Sequence, residues 1–327
     1  MFKYLNIRSI GALLSVLAML FSPFCAWGIK GQAGEEKNSY TDKAKEELKD
    51  IQVELYITST GQKKILDFEE YICGVLLAEV PMSFEFEALK AMAVASRSYA
   101  YRRIKSDGKI EHYSADVCDN YAHCLGYISL EDAENMWGDT QARGCYEKVK
   151  KAVMQTRGEV LYYGENIADT VFHASSYGYT ENAKNVWGYD VPYLVSVQTS
   201  GEYGKNTVQF TCQEFASALM QSGIKIDTSQ SGEKWIEKIQ KNDSGRVETV
   251  RICGYDITGR RAREIFNLQS TGFDVSFDGD VFIFDVKGAG HGVGMSQYGC
   301  QQMALDGKNY KEILAHYYQN TILGLYA

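Results

Sequence analysis

Three glutamates fall within nine positions of "GVLLAEVPMSFEFEALKAMAVASRSYAYRR" (residues 74–103): Glu79, Glu85 and Glu87. A carboxyl group that keeps its proton near neutral pH can donate it to a leaving oxygen. To do so it must be partly withdrawn from water or held near other negative charge. Ser83 stands before "FEFEALKAMAVA" as a helix N-cap, which puts Glu85 and Glu87 in or near the first turn, where carboxylates oppose the helix dipole. Glu79 has no such explanation. Phe68, Ile72, Val75 and Glu79 share one otherwise apolar helical stripe, and Pro81 ends that helix near Glu79. The negative helix end and partial desolvation both raise a carboxyl pKa there. The competing structural reading neutralises Glu79 with an arginine, and Arg97 on the next helix is the candidate partner.

A second cluster lies in "HYSADVCDNYAHC": His112, Cys118, His123 and Cys124. Two thiolates with imidazole suit a tetrahedral zinc ion. The spacing, H-x5-C-x4-HC, is not that of a common zinc finger, and a Cys118–Cys124 disulfide closing a short loop is the alternative. A third candidate is "GAGHGVGMSQYG" (288–299), which follows a strand pattern and precedes a helix. Its glycines lack the dinucleotide-binding spacing. "GMSQYG" is one residue longer than a serine-hydrolase elbow, which weakens Ser296 and His291 as a nucleophile pair. Glycine instead permits close backbone approach to a ligand, leaving His291, Ser296 and Gln297 as polar groups that could meet it. His173, on an apolar strand, and His316, on a late amphipathic helix, have structural explanations.

The elements that must position these groups read as α+β, with helices and strands in mixed order. "IQVELYITSTGQKKILDF" predicts two strands around Gly61, and two helices separated by Pro81 follow. "YEKVKKAVMQTRGEVLYYGENIADTVFHASS" predicts helix, strand, a turn at Gly164–Asn166 and strand. Within a subdomain at about 205–275, "TCQEFASALMQSG" and "GEKWIEKIQKND" read as helices, and "VETVRICGY" as a strand. "DGDVFIFDV" reads as a further strand, and "CQQMALDG" and "YKEILAHYYQ" as late helices.

The N-terminus sets the compartment. Lys3 and Arg8 precede an uncharged run from Ile10 to Ile29, long enough as a helix to cross about 30 Å of hydrocarbon. The basic flank keeps that end in the cytoplasm. Residues 1–29 read as an uncleaved signal anchor, with a cleaved signal as the alternative, and 30–50 as a polar tether. The remainder then lies outside the cytoplasm. A net charge of −8 argues against broad nucleic-acid binding. The 23 tyrosines suit either a core or a carbohydrate groove.

Several blocks of the chain resemble the stage II sporulation protein D family, of the clostridial type. They are "LDFEEYICGVLLAEVPMSFEFEALKAMAVASRSYA", "DVCDNYAHC", "FHASSYGYTENAKNVWG", "GRRAREIFNLQST" and "GHGVGMSQYGCQQMALDGKNYKEILAHYYQNTILG", spread over 51–327. The resemblance implies a membrane-anchored lytic transglycosylase that cleaves peptidoglycan glycan strands, preferably peptide-free, during forespore engulfment. Its fold would be helices and mostly antiparallel strands around a glycan cleft. It further implies an amidase/endopeptidase partner and a multi-spanning membrane partner. The family's catalytic glutamate matches Glu79, and its helix-borne arginine matches Arg97. Ser175, Gly178, Thr180, Tyr193, His291 and Gln297 would then line the groove with Arg97. Clostridial relatives favour metal binding by His112, Cys118 and Cys124, with His123 a possible fourth ligand; the zinc would shape the cleft edge. Two positions depart from the family pattern. Tyr177–Gly178 stands where the family has two glycines, and Val195 where some members carry a basic residue. Two rival functions remain: a non-catalytic murein-binding or amidase-enhancer module, and an amidase with catalytic zinc.

Overall fold

The computed structural model describes residues 45, 48–106, 114–200 and 204–326. The expected anchor, most of the tether, and His112 lie outside these residues. Among the described residues, no helix is long and apolar enough to cross a membrane. The chain divides into Met1–Glu47 and Leu48–Ala327, and every element named below belongs to the second unit.

β1 (Gln52–Ile57) and β2 (Gln62–Asp67) form an antiparallel hairpin around Gly61. The Asp67 side chain accepts the Glu70 amide at 3.0 Å and so starts α1, Phe68–Glu79. The helix stops where Val80 turns extended before Pro81, as a pre-proline residue must. Phe68, Ile72 and Val75 are buried, but so are Tyr71, Cys73, Leu76 and Leu77. This helix is therefore enclosed around most of its circumference rather than along one stripe.

α2, Phe86–Lys105, begins later than the sequence predicts. Glu85, not Ser83, occupies the N-cap, and its side chain makes no capping bond. Packing fixes the entry instead: Phe84 is buried edge-on to Tyr298, with ring centroids 5.3 Å apart. Gln301 Oε1 also accepts the Glu85 amide at 2.6 Å. α2 is the central helix. Its small residues Ala88, Ala91, Ala93, Ala95 and Ala100 are fully buried, and it packs against α1 and the later elements around it.

β3 (Val117–Cys118) adds parallel to β1, with Tyr56 opposite Cys118. α3 (Leu130–Trp137) starts on a Ser129–Asp132 capping box, and Gly138 joins it to α4 (Asp139–Gln155). β4 (Glu159–Tyr163), the short β5 (Asn166–Ile167) and the C-terminal β16 (Ile322–Leu325) make one antiparallel sheet. β6 (Phe172–His173), β7 (Gly178–Tyr179), α5 (Ala183–Trp187) and β8 (Gln198–Thr199) follow β5.

Residues 205–287 carry an apolar core of their own. β9 (Lys205–Thr211) leads into α6 (Cys212–Gln221), and β10 (Ile236–Lys241), β11 (Val247–Ile252) and β12 (Tyr255–Thr258) form a meander. α7 (Gly259–Ile265) then leads to β13 (Phe273–Asp278) and β14 (Val281–Lys287), which pairs with β9. Phe215 and Phe282 stack at 3.9 Å in the centre of this core. The predicted helix over "GEKWIEKIQKND" is instead one 3-10 turn, Gly232–Lys234, followed by strand β10. A register shift between Ile236 and Lys238 lets Ile236 and Ile239, three apart, pack on one core, so a bulge imitates helical spacing.

The chain re-enters the main body through 288–294 and β15 (Met295–Ser296), parallel to β6, then forms α8 (Gln297–Leu305) and α9 (Tyr310–Tyr317). The architecture is α+β with mostly antiparallel pairing, as expected.

Candidate active site

Glu79 is the last residue of α1, and its carboxylate is gripped from two directions. The Gly126 amide donates to Oε1 at 2.6 Å. The Gln297 side-chain amide approaches Oε2 at 3.5 Å. Burial pushes the Glu79 carboxyl above the usual range, and these two donors, which favour the anion, pull it part of the way back. A carboxyl group with a raised pKa between two donors can both deliver and recover a proton.

Local packing accounts for Gly126. Residues 125–128 lie directly on α1: the Ile128 amide donates to Gly74 O at 3.3 Å, and the rings of Tyr71 and Tyr127 stack at 5.7 Å. A Cβ on Gly74 would come within 2.3 Å of the Tyr127 ring, and one on Gly126 within 3.0 Å of Glu79 Oε1. Gln297 arrives at the N-terminus of α8, whose N-cap Ser296 accepts the Gly299 amide at 3.2 Å. The segment after the glycine-rich run thus meets Glu79.

Glu85 is the N-cap residue of α2, and Glu87 has a structural occupation. Glu87 accepts the Tyr310 amide at 2.8 Å and pairs with Lys90. Arg97 does not neighbour Glu79 as expected. It is fully buried, and its guanidinium grips Glu69, with Nη2 2.6 Å from Oε2 and Nε 3.0 Å from Oε1. Its remaining donors reach Val153 O and Glu159 O. This is an interior ion pair between α1 and α2, and it offers no face to a substrate.

The other predicted groove residues differ in their access to solvent. Ser175 is buried, and its backbone pairs with Ala289. Gly178 is exposed on β7. Buried Thr180 exchanges backbone and side-chain hydrogen bonds with Val197. Tyr193 is buried, and its hydroxyl accepts the Asp169 amide at 2.8 Å. His291 accepts the Val293 amide at Nδ1, so Nε2 carries the proton and donates to Phe172 O at 3.0 Å. Burial lowers its pKa to about 4. With both nitrogens engaged, it pins the glycine-rich loop rather than presenting itself to sugar. His316 bonds Gln198 O at 2.7 Å, in keeping with its structural reading.

The thiol cluster is partly assembled. Cys118, His123 and Cys124 offer ligand atoms that all lie within 4.8 Å of one another. His123 Nδ1 is 3.5 Å from the Cys118 sulfur and 3.7 Å from that of Cys124. Asn120 folds the loop: its carbonyl accepts the His123 and Cys124 amides, and its side chain accepts the Ala122 amide. Cys118 and Cys124 are not joined to each other, so the alternative disulfide is not formed. Soft donors converging on one point fit a zinc ion. Gly126 follows this loop two residues later, which connects the cluster to Glu79 by sequence.

Sequence reasoning missed two features. Gly126 acts through an amide, which leaves no mark in residue type. Buried Glu181 accepts from Asn185, Asn242 and Ser244, while buried Arg246 donates to Ser176 Oγ at 2.9 Å; together they join 205–287 to the residues on either side of β7.

A family model for stage II sporulation protein matches residues 56–163. Stage II sporulation protein D of Bacillus subtilis is 35% identical over 277 residues, 83% of this chain and 78% of that protein. The Bacillus amyloliquefaciens protein of the same name is 33% identical over 270 residues, 82% of this chain and 77% of its own length. An amidase enhancer of Bacillus subtilis shares 33% identity over 89 residues, 26% of this chain and 13% of its own.

Proposed function

The chain belongs to the stage II sporulation protein D family, and on that premise we propose that it is a lytic transglycosylase cleaving peptidoglycan glycan strands. The observation that carries this reading is the Glu79 carboxyl, raised in pKa by burial and held by Gly126 and Gln297. Protonated Glu79 gives its proton to the oxygen linking N-acetylmuramic acid to N-acetylglucosamine, and the bond to the anomeric carbon breaks. The resulting carboxylate takes the proton of the muramic 6-hydroxyl as that oxygen bonds to the same carbon. The product is a 1,6-anhydro sugar, no water is consumed, and Glu79 ends protonated. One carboxyl serves both steps, whereas an ordinary glycosidase needs a second about 5 Å or more away.

On this reading residues 1–29 anchor the protein in the cell membrane, with the catalytic unit outside the cytoplasm beside an amidase/endopeptidase and a multi-spanning membrane partner. Cys118, His123 and Cys124, with His112, would hold a zinc ion. The ion would supply a fixed cross-link that sets the path of the loop leading to Gly126.

The likeness to an amidase enhancer supports a second reading, a murein-binding module without catalysis. A Glu79→Gln protein given peptide-free strands separates the two. Under the catalytic reading binding survives, and mass spectrometry finds the 1,6-anhydro products gone. Were the unaltered protein to bind strands and release no such product, the second reading would stand.

A further inference from the structure

Arg246, the residue before β11, is 4% exposed, and among the described residues its Nε and Nη1 have no hydrogen-bond partner. Burial lowers its pKa to about 10, and the nearby Glu181 carboxylate only partly offsets that. The Glu181 oxygens are taken up by Asn182, Asn185, Asn242 and Ser244. An apolar side chain of similar length would fill this place at lower cost. Stability alone therefore does not account for the charge.

Its one hydrogen bond starts a chain of others. Arg246 Nη2 donates to Ser176 Oγ at 2.9 Å. That oxygen is 2.6 Å from His173 Nε2, and His173 Nδ1 is 3.1 Å from Val293 O. A carbonyl only accepts, so Nδ1 carries the imidazole proton and Nε2 accepts the Ser176 hydroxyl. The bonds thus run one way, from guanidinium to hydroxyl to imidazole to the glycine-rich loop. The loop also rests on the guanidinium itself. A Cβ on Gly292 would come 2.6 Å from Arg246 Cζ, 2.7 Å from Nη2 and 2.8 Å from Nε.

The stretch so gripped also holds Gln297. Ser296 pairs with His173, and the Tyr298 amide donates to Ala174 O at 3.1 Å. Bonds to residues 173 and 174 therefore flank Gln297 on both sides, and Gln297 approaches Glu79 Oε2.

We propose that Arg246 is a positioning residue: through Ser176 and His173 it sets where Gln297 presents its amide to Glu79, so that residues 205–287 tune the acid from a distance. The consequence for rate rests on the catalytic reading of Glu79, while the positioning of its carboxyl does not.

The test uses the full-length chain. Arg246→Met and, separately, Ser176→Ala break the first and second links, and the serine change removes only a hydroxyl should the arginine variant fail to fold. Each is expected to lower kcat for anhydro-sugar release about tenfold with KM little changed. The alkaline limb of kcat/KM should move to higher pH, because a donor that favours the carboxylate is displaced. Since the links act through Gln297, Ser176→Ala plus Gln297→Leu should be no slower than Gln297→Leu alone. Carbon-13 NMR of the Glu79 carboxyl should show it titrating higher in each folded variant, whatever the activity. A loss that multiplies with that of Gln297→Leu overturns the proposal, and so does a Glu79 titration identical to the parent's. A parent that releases no anhydro sugar sinks the catalytic reading alone, and the NMR titration then decides the positioning.

Discussion

The amide of Gly126 donates to Glu79 Oε1 at 2.6 Å, across 47 residues of sequence. That bond ties the end of α1 to a loop that has just left the Cys118–Cys124 cluster, while Gln297 approaches the same carboxylate from α8. Three segments distant in the chain thus converge on one carboxyl group, and each can be disturbed separately.

The Gly126 contact leaves little room for a side chain. A Cβ there would lie 3.0 Å from Glu79 Oε1 and 3.4 Å from Ala78 Cβ. Gly126→Ala should shift the carboxyl by a few tenths of an ångström and lower the rate of anhydro-sugar release about tenfold, because positioning errors below 1 Å already weaken proton transfer. Unfolding midpoint and strand binding should change little. Unaltered turnover would show that the Gly126 amide does not position the acid.

Glu79 must carry its proton to act as the acid, so activity should fall as pH rises through its pKa, which burial places above the ordinary glutamate value. Gln297→Leu removes a donor that favours the anion. The alkaline limb of kcat/KM should therefore move to higher pH. A limb that stays in place, or moves down, would mean that Gln297 does not touch the ionising group.

Arg97 should matter for stability rather than for the proton. It and Glu69 are buried together, and removing one partner leaves an uncompensated interior charge. Arg97→Met should cost about 3–5 kcal/mol in urea unfolding, and adding Glu69→Leu should recover much of it. In the refolded double variant, the pH at which activity falls should match that of the parent. A displaced limb with stability intact would return Arg97 to the active site.

Metal chelation offers a test at the other end of the loop. The unaltered protein should contain about one zinc per chain, and Cys118→Ser should lower that content. Anhydro-sugar release should then drop together with the thermal midpoint, since the loop leading to Gly126 loses its cross-link. A chelated protein with both quantities unchanged would remove the metal from the account.

Much of this arrangement could be read from sequence where periodicity is long or a residue is out of place. α1 and α2 were legible because their apolar patterns run for three or more turns on either side of Pro81. Glu79 stood out because no capping role explained it. Pairings at long range were not legible. Arg97 meets Glu69, 28 positions back, instead of the glutamate that its helix position suggests, and only packing decides between them. Ser83 has the chemistry of an N-cap, yet the buried Phe84 and the Gln301 contact set the start of α2. β10 was misread because its register shift gives Ile236 and Ile239 the spacing of a helix.

His291 provides a final prediction, concerning stability and acid. Its folded pKa is lowered to about 4 by burial, while the unfolded chain titrates near the ordinary 6.5. Buried His173, 5.6 Å away ring to ring, is lowered in the same direction. For a base whose folded pKa lies below its unfolded value, the unfolded state binds more protons as pH falls through that interval, so stability drops. The urea midpoint should be flat above about pH 7 and decline from pH 6.5 towards pH 4. His291→Gln, whose amide can both donate to Phe172 O and accept from Val293, should flatten part of that decline. If the slope were the same with and without the imidazole, His291 would not be the neutral, doubly bonded pin of the glycine-rich loop.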